Sequence, residues 1–205
     1  MTRKFARFGG AAMAGALLVL AACSAEKAPQ SAGSAANWTE FRDQFLAGYF
    51  PLNPNFAVYQ GKHEFDGQLP DWSAEGLQKQ IAFLEKTIAD AQAFNGKMSD
   101  AEKFERDYLV HVAQGQLFFL KDADFPHKNP AFYVGQLDPN VYISRPYADP
   151  ATRMKAFISY AEKVPAAAAQ IKANLKLPMP ATFVKYGSAG FGGFDGGFGD
   201  LLGGD

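Results

Sequence analysis

Side chains that commonly carry chemistry are scarce in this chain of 205 residues, which contains one cysteine and three histidines. A single cysteine excludes an intramolecular disulfide framework. Basic residues are not in excess, because 20 lysines and arginines are matched by 21 acidic residues. That balance argues against a nucleic-acid-binding surface, whose affinity depends on clustered lysine and arginine. The sequence also lacks the G-x-S-x-G motif of serine hydrolases and the G-x-x-x-x-G-K loop that binds phosphates.

The amino terminus of the chain has the pattern of an export signal. A basic segment is followed by an apolar run too short to span a bilayer permanently, and small residues then precede the cysteine. These parts are Arg3, Lys4 and Arg7, then Ala11 to Leu20, then Leu20-Ala21-Ala22-Cys23. The last four residues resemble the bacterial lipobox. An ordinary buried thiol at Cys23 would need a folded neighbourhood, which neither flank of the cysteine provides.

The lipobox resemblance implies that residues 1–22 are removed and that Cys23 is the lipid-attachment site. We therefore expect a membrane partner, reached through the lipid on Cys23, and a place in the bacterial cell envelope on the periplasmic face of the outer membrane. Loss of the signal leaves 17 basic and 21 acidic residues, a net charge of −4. This acidic balance predicts no nucleic-acid partner.

Composition divides the mature chain into three parts. Residues 23–36 form the lipidated cysteine and a flexible tether of small and polar residues. Residues 37–186 carry helix-capping signals and apolar helical spacing, and they predict an all-α domain of antiparallel hairpins. Residues 187–205 have glycine at nearly every second position, which predicts a disordered tail or a segment that lacks its packing partner. The tail lacks the spacing and the second copy that calcium-binding glycine-aspartate repeats need.

Apolar stripes indicate the helical faces that should form the core. One stripe follows the capping residue Ser73, and a second follows the capping box Ser99-Asp100-Ala101-Glu102. We expect both stripes to be buried, the first made of Leu77, Ile81, Leu84, Ile88 and Ala91, the second of Phe104, Tyr108, Val112 and Phe119. A long connecting segment rich in proline and aromatic residues, Asp122 to Asp149, then leads to a helix capped by Asp149-Pro150.

Few residues are arranged for catalysis. His63-Glu64 begins like a zinc-protease helix, but the second histidine that should lie one turn later is replaced by Gly67. His111 and His127 are distant in sequence, so only a site assembled from all three histidines remains open. Asp122-Ala123-Asp124 is either a carboxylate pair or a charged turn that closes a helix. The sequence therefore predicts no catalytic residue and no metal ligand.

The segment from Gly61 to Ser73, GKHEFDGQLPDWS, resembles the opening of a bacterial family named domain of unknown function 885. The resemblance extends over residues 37–186. It implies an exported or lipid-anchored, mostly helical protein of the metallopeptidase type, with zinc held by a His-Glu-x-x-Pro-Gly-His segment far downstream. That segment does not occur here, since Gly67 and Leu69 stand where its proline and second histidine would be. Zinc is thus expected only in longer relatives, and no cofactor in this chain.

Two functional hypotheses follow, and the sequence does not decide whether the chain is an enzyme. The first is an N-terminal helical fragment of a lipid-anchored, metallopeptidase-like envelope protein, inactive alone, whose partner is a peptide substrate or its own missing C-terminal part. The second is a stand-alone periplasmic module that binds a partner through exposed aromatic residues. In the first hypothesis, we expect any substrate-facing role to fall to the aromatic segment between Phe125 and Tyr147.

Overall fold

The computed structural model describes residues 35–201, with side chains up to residue 193. Within this range the chain is helical and contains no strand, which confirms the all-α prediction. A short 3-10 helix lies at His63–Phe65 and a π-helical turn at Phe118–Asp122. The α-helices are α1 (Trp38–Leu52), α2 (Pro54–Tyr59), α3 (Ala74–Ala93), α4 (Asp100–Leu117), α5 (Phe125–Lys128), α6 (Ala131–Val134), α7 (Asn140–Ser144), α8 (Pro150–Asn174) and α9 (Ala181–Leu201).

The long helices begin where the capping residues predict. The side-chain oxygen of Asn37 accepts a hydrogen bond from the backbone N–H of Glu40 at 2.9 Å, and Ser73 caps α3 in the same way through Gly76 at 3.1 Å. Ser99 and Glu102 form a reciprocal capping box at the start of α4. These contacts satisfy backbone N–H groups that have no partner inside a helix.

The hairpin of α3 and α4 forms the centre of the molecule. Leu84 of α3 packs with Ala113 and Leu120, while Ala91 packs with Val110, so the two helices run antiparallel as predicted. α1 covers one end of the hairpin through Trp38 and Phe41. α8 covers the other side through Ala167 and Ile171.

The face of α4 that was expected in the core lies on the surface. Phe104, Tyr108 and Val112 are 72%, 64% and 38% exposed, whereas Ala113 is 1% exposed. The prediction was wrong because α4 has two apolar faces. The face with the small side chain at Ala113 allows α3 and α4 to pack closely, whereas large aromatic rings would hold the helix axes apart.

The connecting segment is ordered as three short helices, α5 to α7, and its polar groups attach it to the body of the domain. The Tyr133 hydroxyl donates to the carbonyl oxygen of Pro126 at 2.7 Å within the segment, and it accepts from Nδ2 of Asn174 in α8 at 3.2 Å. The Tyr160 hydroxyl of α8 donates to the carbonyl oxygen of Leu137 at 2.6 Å. Burial of aromatic rings together with these hydrogen bonds explains why so proline-rich a segment adopts one conformation.

The glycine-rich tail differs from the prediction of disorder, because α9 continues to Leu201. Gly187 and Gly190 lie against α6. A Cβ atom added at these glycines would come within 2.5 Å of Pro130 and 2.7 Å of Val134. Glycine costs backbone entropy in a helix, but here it permits close packing that no larger residue would allow. Residues 202–205 lie outside the described range.

Candidate functional site

The predicted lipid-attachment residue, Cys23, lies outside the described residues. The signal segment 1–22 and most of the tether also lie outside them. These assignments stay predictions. Within residues 35–201 no helix has the combined length and apolar character needed to cross a membrane.

The three histidines are each bonded to a neighbour on their own segment. Nδ1 of His63 lies 3.1 Å from Oδ1 of Asp66, and Nδ1 of His111 lies 2.6 Å from the carbonyl oxygen of Asp107. His127 contacts Asp124. Among the described side chains there is no group of three histidine, cysteine, aspartate or glutamate residues that could hold a metal ion. The residues present therefore do not fit the zinc site that the family resemblance implies for longer relatives.

His63 instead helps to attach a turn to the connecting segment. Its ring stacks on Tyr147 with centroids 3.7 Å apart, and the hydroxyl of Tyr147 donates to Asp66 at 2.9 Å. Burial, together with the hydrogen bond and negative charge of Asp66, raises the pKa of Tyr147. The tyrosine stays protonated and donates to the carboxylate, which is a structural role.

Asp122-Ala123-Asp124 forms a turn and not a carboxylate pair. Asp122 ends the π-helical turn, and Asp124 has a left-handed backbone (φ 54°) just before α5. Burial acts to raise the pKa of Asp124, but the hydrogen bond from His127 and the charge of Lys128 hold it below its usual value. The second of the two sequence alternatives, a charged turn, describes this segment.

An apolar groove runs between α1 and α4, and we call it the α1–α4 groove. It has a volume of about 440 Å³, and the exposed residues Phe104, Tyr108 and Val112 form its α4 wall. Nε1 of Trp38 donates to the carboxylate of Glu105 at 3.0 Å and closes one end. The α1 wall consists of Trp38, Arg42, Phe45, Leu46 and Tyr49.

A second depression, the amide cleft, continues from the α1–α4 groove and shares Tyr49, Phe56 and Gln116 with it. Its volume is about 350 Å³. The remaining lining residues are Asn53, Asn55, Gln80, Phe119, Leu120, Phe125, Phe132 and Gln136. The sequence does not indicate this cleft, because its residues come from six α-helices and adjoining turns that only the fold brings together.

The aromatic segment expected to face a substrate contributes mostly to the core. Tyr133, Leu137 and Tyr142 are buried there. Of its aromatic residues, Phe125 and Phe132 reach the amide cleft. The exposed aromatic surface therefore lies mainly on α4, and the second apolar face of this helix is visible in the sequence as helical spacing of Phe104, Tyr108 and Val112.

Comparisons with known proteins identify a family and a fold. The model of a family described as bacterial protein of unknown function (DUF885) matches residues 54–189. A solved structure of a candidate lipoprotein of unknown function from Shewanella oneidensis superimposes with a TM-score of 0.62 at 23% identity. The match covers 70% of this chain and 27% of that one, so the chain spans about a quarter of the length of this relative. No curated protein matches.

Proposed function

The chain belongs to the bacterial DUF885 family, and from this membership we propose that it is a helical region of a lipid-anchored cell-envelope protein. The anchor is the lipid on Cys23, and the place is the periplasmic face of the outer membrane. The signal pattern of residues 1–22 supports this proposal. The description of the Shewanella oneidensis relative as a candidate lipoprotein is consistent with it.

In this proposal the region belongs to a metallopeptidase-like protein but does not hydrolyse a substrate by itself. Its histidines are held apart by local partners, and converging imidazoles are what a catalytic zinc requires. The longer relative, of which the match covers 27%, has room for such a site in the rest of its chain.

The observation that carries the proposal is the exposed stripe of α4 facing α1. An apolar groove between two helices fits the apolar side of a further amphipathic helix. We assign this groove to the additional helices of the longer family polypeptide. Large exposed apolar patches of this kind commonly mark interaction surfaces in soluble proteins.

The anchor is tested by replacing Cys23 with serine in cells fed a labelled fatty acid. The wild-type protein should incorporate the label and sediment with membranes, whereas Cys23→Ser should do neither. Ser31→Ala, a change of similar size in the tether, serves as the control and should behave like the wild type. Labelling of Cys23→Ser would contradict the anchor.

The catalytic part of the proposal is tested by metal analysis of the purified chain. We expect substoichiometric zinc and no cleavage of a mixed peptide library with added Zn²⁺. Tight stoichiometric zinc together with peptidase activity would contradict the proposal. His63→Ala and His127→Ala would then show whether the histidines are responsible.

The alternative function is a stand-alone binding module, in which the α1–α4 groove would be the docking surface for a separate partner. The two functions differ in the behaviour of the isolated chain. A monomer that unfolds cooperatively supports the module. Self-association that disappears when Phe104 and Tyr108 are replaced by serine supports a groove normally covered by further helices.

A further inference from the structure

The amide cleft is lined by uncharged polar side chains of one chemical kind. Five amides, those of Asn53, Asn55, Gln80, Gln116 and Gln136, alternate with aromatic rings, and among the residues that the structure describes no lysine, arginine, aspartate or glutamate lines the cleft. All five amides are half-buried. This composition distinguishes the cleft from the adjoining apolar groove, so it calls for a different ligand.

Three of the amides have their orientation fixed by main-chain acceptors. Nδ2 of Asn53 donates to the carbonyl oxygen of Tyr49 at 3.1 Å, and Nδ2 of Asn55 donates to that of Gln136 at 3.3 Å. Nε2 of Gln136 donates to the carbonyl oxygen of Phe132 at 3.2 Å. A carbonyl oxygen can only accept, so the amide nitrogen must lie at that end of each side chain. Their three side-chain oxygens make no hydrogen bond within the described residues.

Donors are also present in the cleft. The side-chain amide of Gln80 makes no hydrogen bond within the described part of the chain, so it can both donate and accept. The hydroxyl of Tyr49 accepts from Nε2 of Gln116 at 2.9 Å and keeps its own proton for donation. Burial raises the pKa of Tyr49, although the bond from Gln116 opposes this effect, and the phenol remains neutral.

The arrangement excludes most ligand classes. An anion would meet several carbonyl oxygens and no positive charge. An ammonium group would lose hydration without a carboxylate to replace it. A purely apolar ligand would cover the acceptors and leave them unpaired, which costs free energy. A ligand rich in hydroxyl groups avoids all three penalties, because each hydroxyl can donate to an amide oxygen and accept from an amide nitrogen.

We infer that the amide cleft binds a neutral saccharide of one or two sugar rings. Hydroxyl groups would bond to the oxygens of Asn53, Asn55 and Gln136 and to the amide of Gln80. The apolar face of a sugar ring would pack on the exposed ring of Phe119. The volume of about 350 Å³ lies near the lower end of small-molecule pockets and fits a ligand of this size. This inference goes beyond the proposed function, which concerns the apolar groove and a polypeptide.

The test is saturation-transfer NMR and calorimetry on the purified chain with maltose and N,N′-diacetylchitobiose as probes. At least one of these sugars should bind at about 10 mM or below, while choline and inorganic phosphate should not. Gln80→Ala should weaken binding about tenfold, since one sugar hydroxyl loses its partners. Gln78→Ala is the matched control, because Gln78 is an exposed amide on the same helix that does not line the cleft.

A second variant protects the test against a change in folding. Phe119→Ala removes a ring that is 45% exposed and that packs on Phe118 and Phe125, so it should lower affinity while the chain still unfolds cooperatively above the temperature of the binding assay. Failure of both sugars to bind, binding of choline alone, or equal effects of Gln78→Ala and Gln80→Ala would each overturn the inference. None of these results depends on zinc, on the lipid or on the occupant of the α1–α4 groove.

Discussion

α3 and α4 are the two helices of one hairpin, yet they use their apolar residues in opposite ways. The stripe of α3 is turned into the protein, with Leu84 3% exposed, whereas the stripe of α4 leaves Phe104 72% exposed. α3 has one apolar face, so its periodicity identifies its buried side. α4 has two apolar faces, and only packing against its neighbours selects one of them. The apolar face of α4 that does not pack against the neighbouring helices stays exposed and is available for binding.

The largest expected effect comes from removing a buried side chain of α3. Leu84→Ala should lower the free energy of unfolding by about 2–5 kcal/mol, because it leaves a cavity in a packed core. Urea unfolding of the purified chain measures this loss. A loss below about 1 kcal/mol would mean that the α3 face is not tightly packed.

A smaller effect is expected at the start of α4. Ser99→Ala removes the hydroxyl that accepts from the backbone N–H of Glu102, so the free energy of unfolding should fall by about 0.5–2 kcal/mol. The same urea titration measures it. Ser99→Thr keeps the hydroxyl and is the control. Equal losses in both variants would show that the cap does not stabilise α4.

The capping box should also make stability depend on pH. Hydrogen bonds from the backbone and side chain of Ser99 lower the pKa of Glu102 in the folded state. Because the pKa of Glu102 is lower in the folded than in the unfolded state, its ionised carboxylate stabilises the fold at pH values above the unfolded pKa. This stabilisation is lost as the pH falls through the folded pKa. The melting temperature of wild type should therefore exceed that of Glu102→Gln at pH 7. The difference should disappear in acid, and a difference that persists at pH 2 would contradict this cause.

The smallest expected effect comes from the exposed stripe of α4. The double variant Phe104→Ala, Tyr108→Ala should change the free energy of unfolding by only about 0.5 kcal/mol, because both rings are already in water. Binding of a fluorescent apolar dye should fall in the same variant. A loss above about 2 kcal/mol would show that the stripe belongs to the core.

Local signals in the sequence predict much of the fold. The capping residues Asn37, Ser73 and Ser99 each accept a hydrogen bond from a backbone N–H three residues later. Sequence spacing alone therefore locates the starts of α1, α3 and α4. The packing of the glycine-rich segment was not predicted, because Gly187 and Gly190 gain their contacts from Pro130 and Val134, more than fifty residues away. Such contacts leave no local pattern.

The candidate site is harder to predict for the same reason. The α1–α4 groove forms because one of the two apolar faces of α4 is buried and the other stays exposed. Which face is buried depends on how α4 packs against α1 and α3. The amide cleft joins side chains as far apart in sequence as Asn55 and Gln136, whose hydrogen bond exists only after α2 and α6 come together. The spacing of His63, His111 and His127, by contrast, is a local property that is read directly from the sequence.

The most direct test of the account compares two tyrosines by hydroxyl-radical footprinting of the monomeric chain. Tyr108 is 64% exposed in the α4 stripe and Tyr133 is fully buried in the core. The account predicts that Tyr108 is oxidised several-fold faster than Tyr133. Equal protection of the two tyrosines would contradict it, because the α4 stripe would then be core and no groove would be open for a partner.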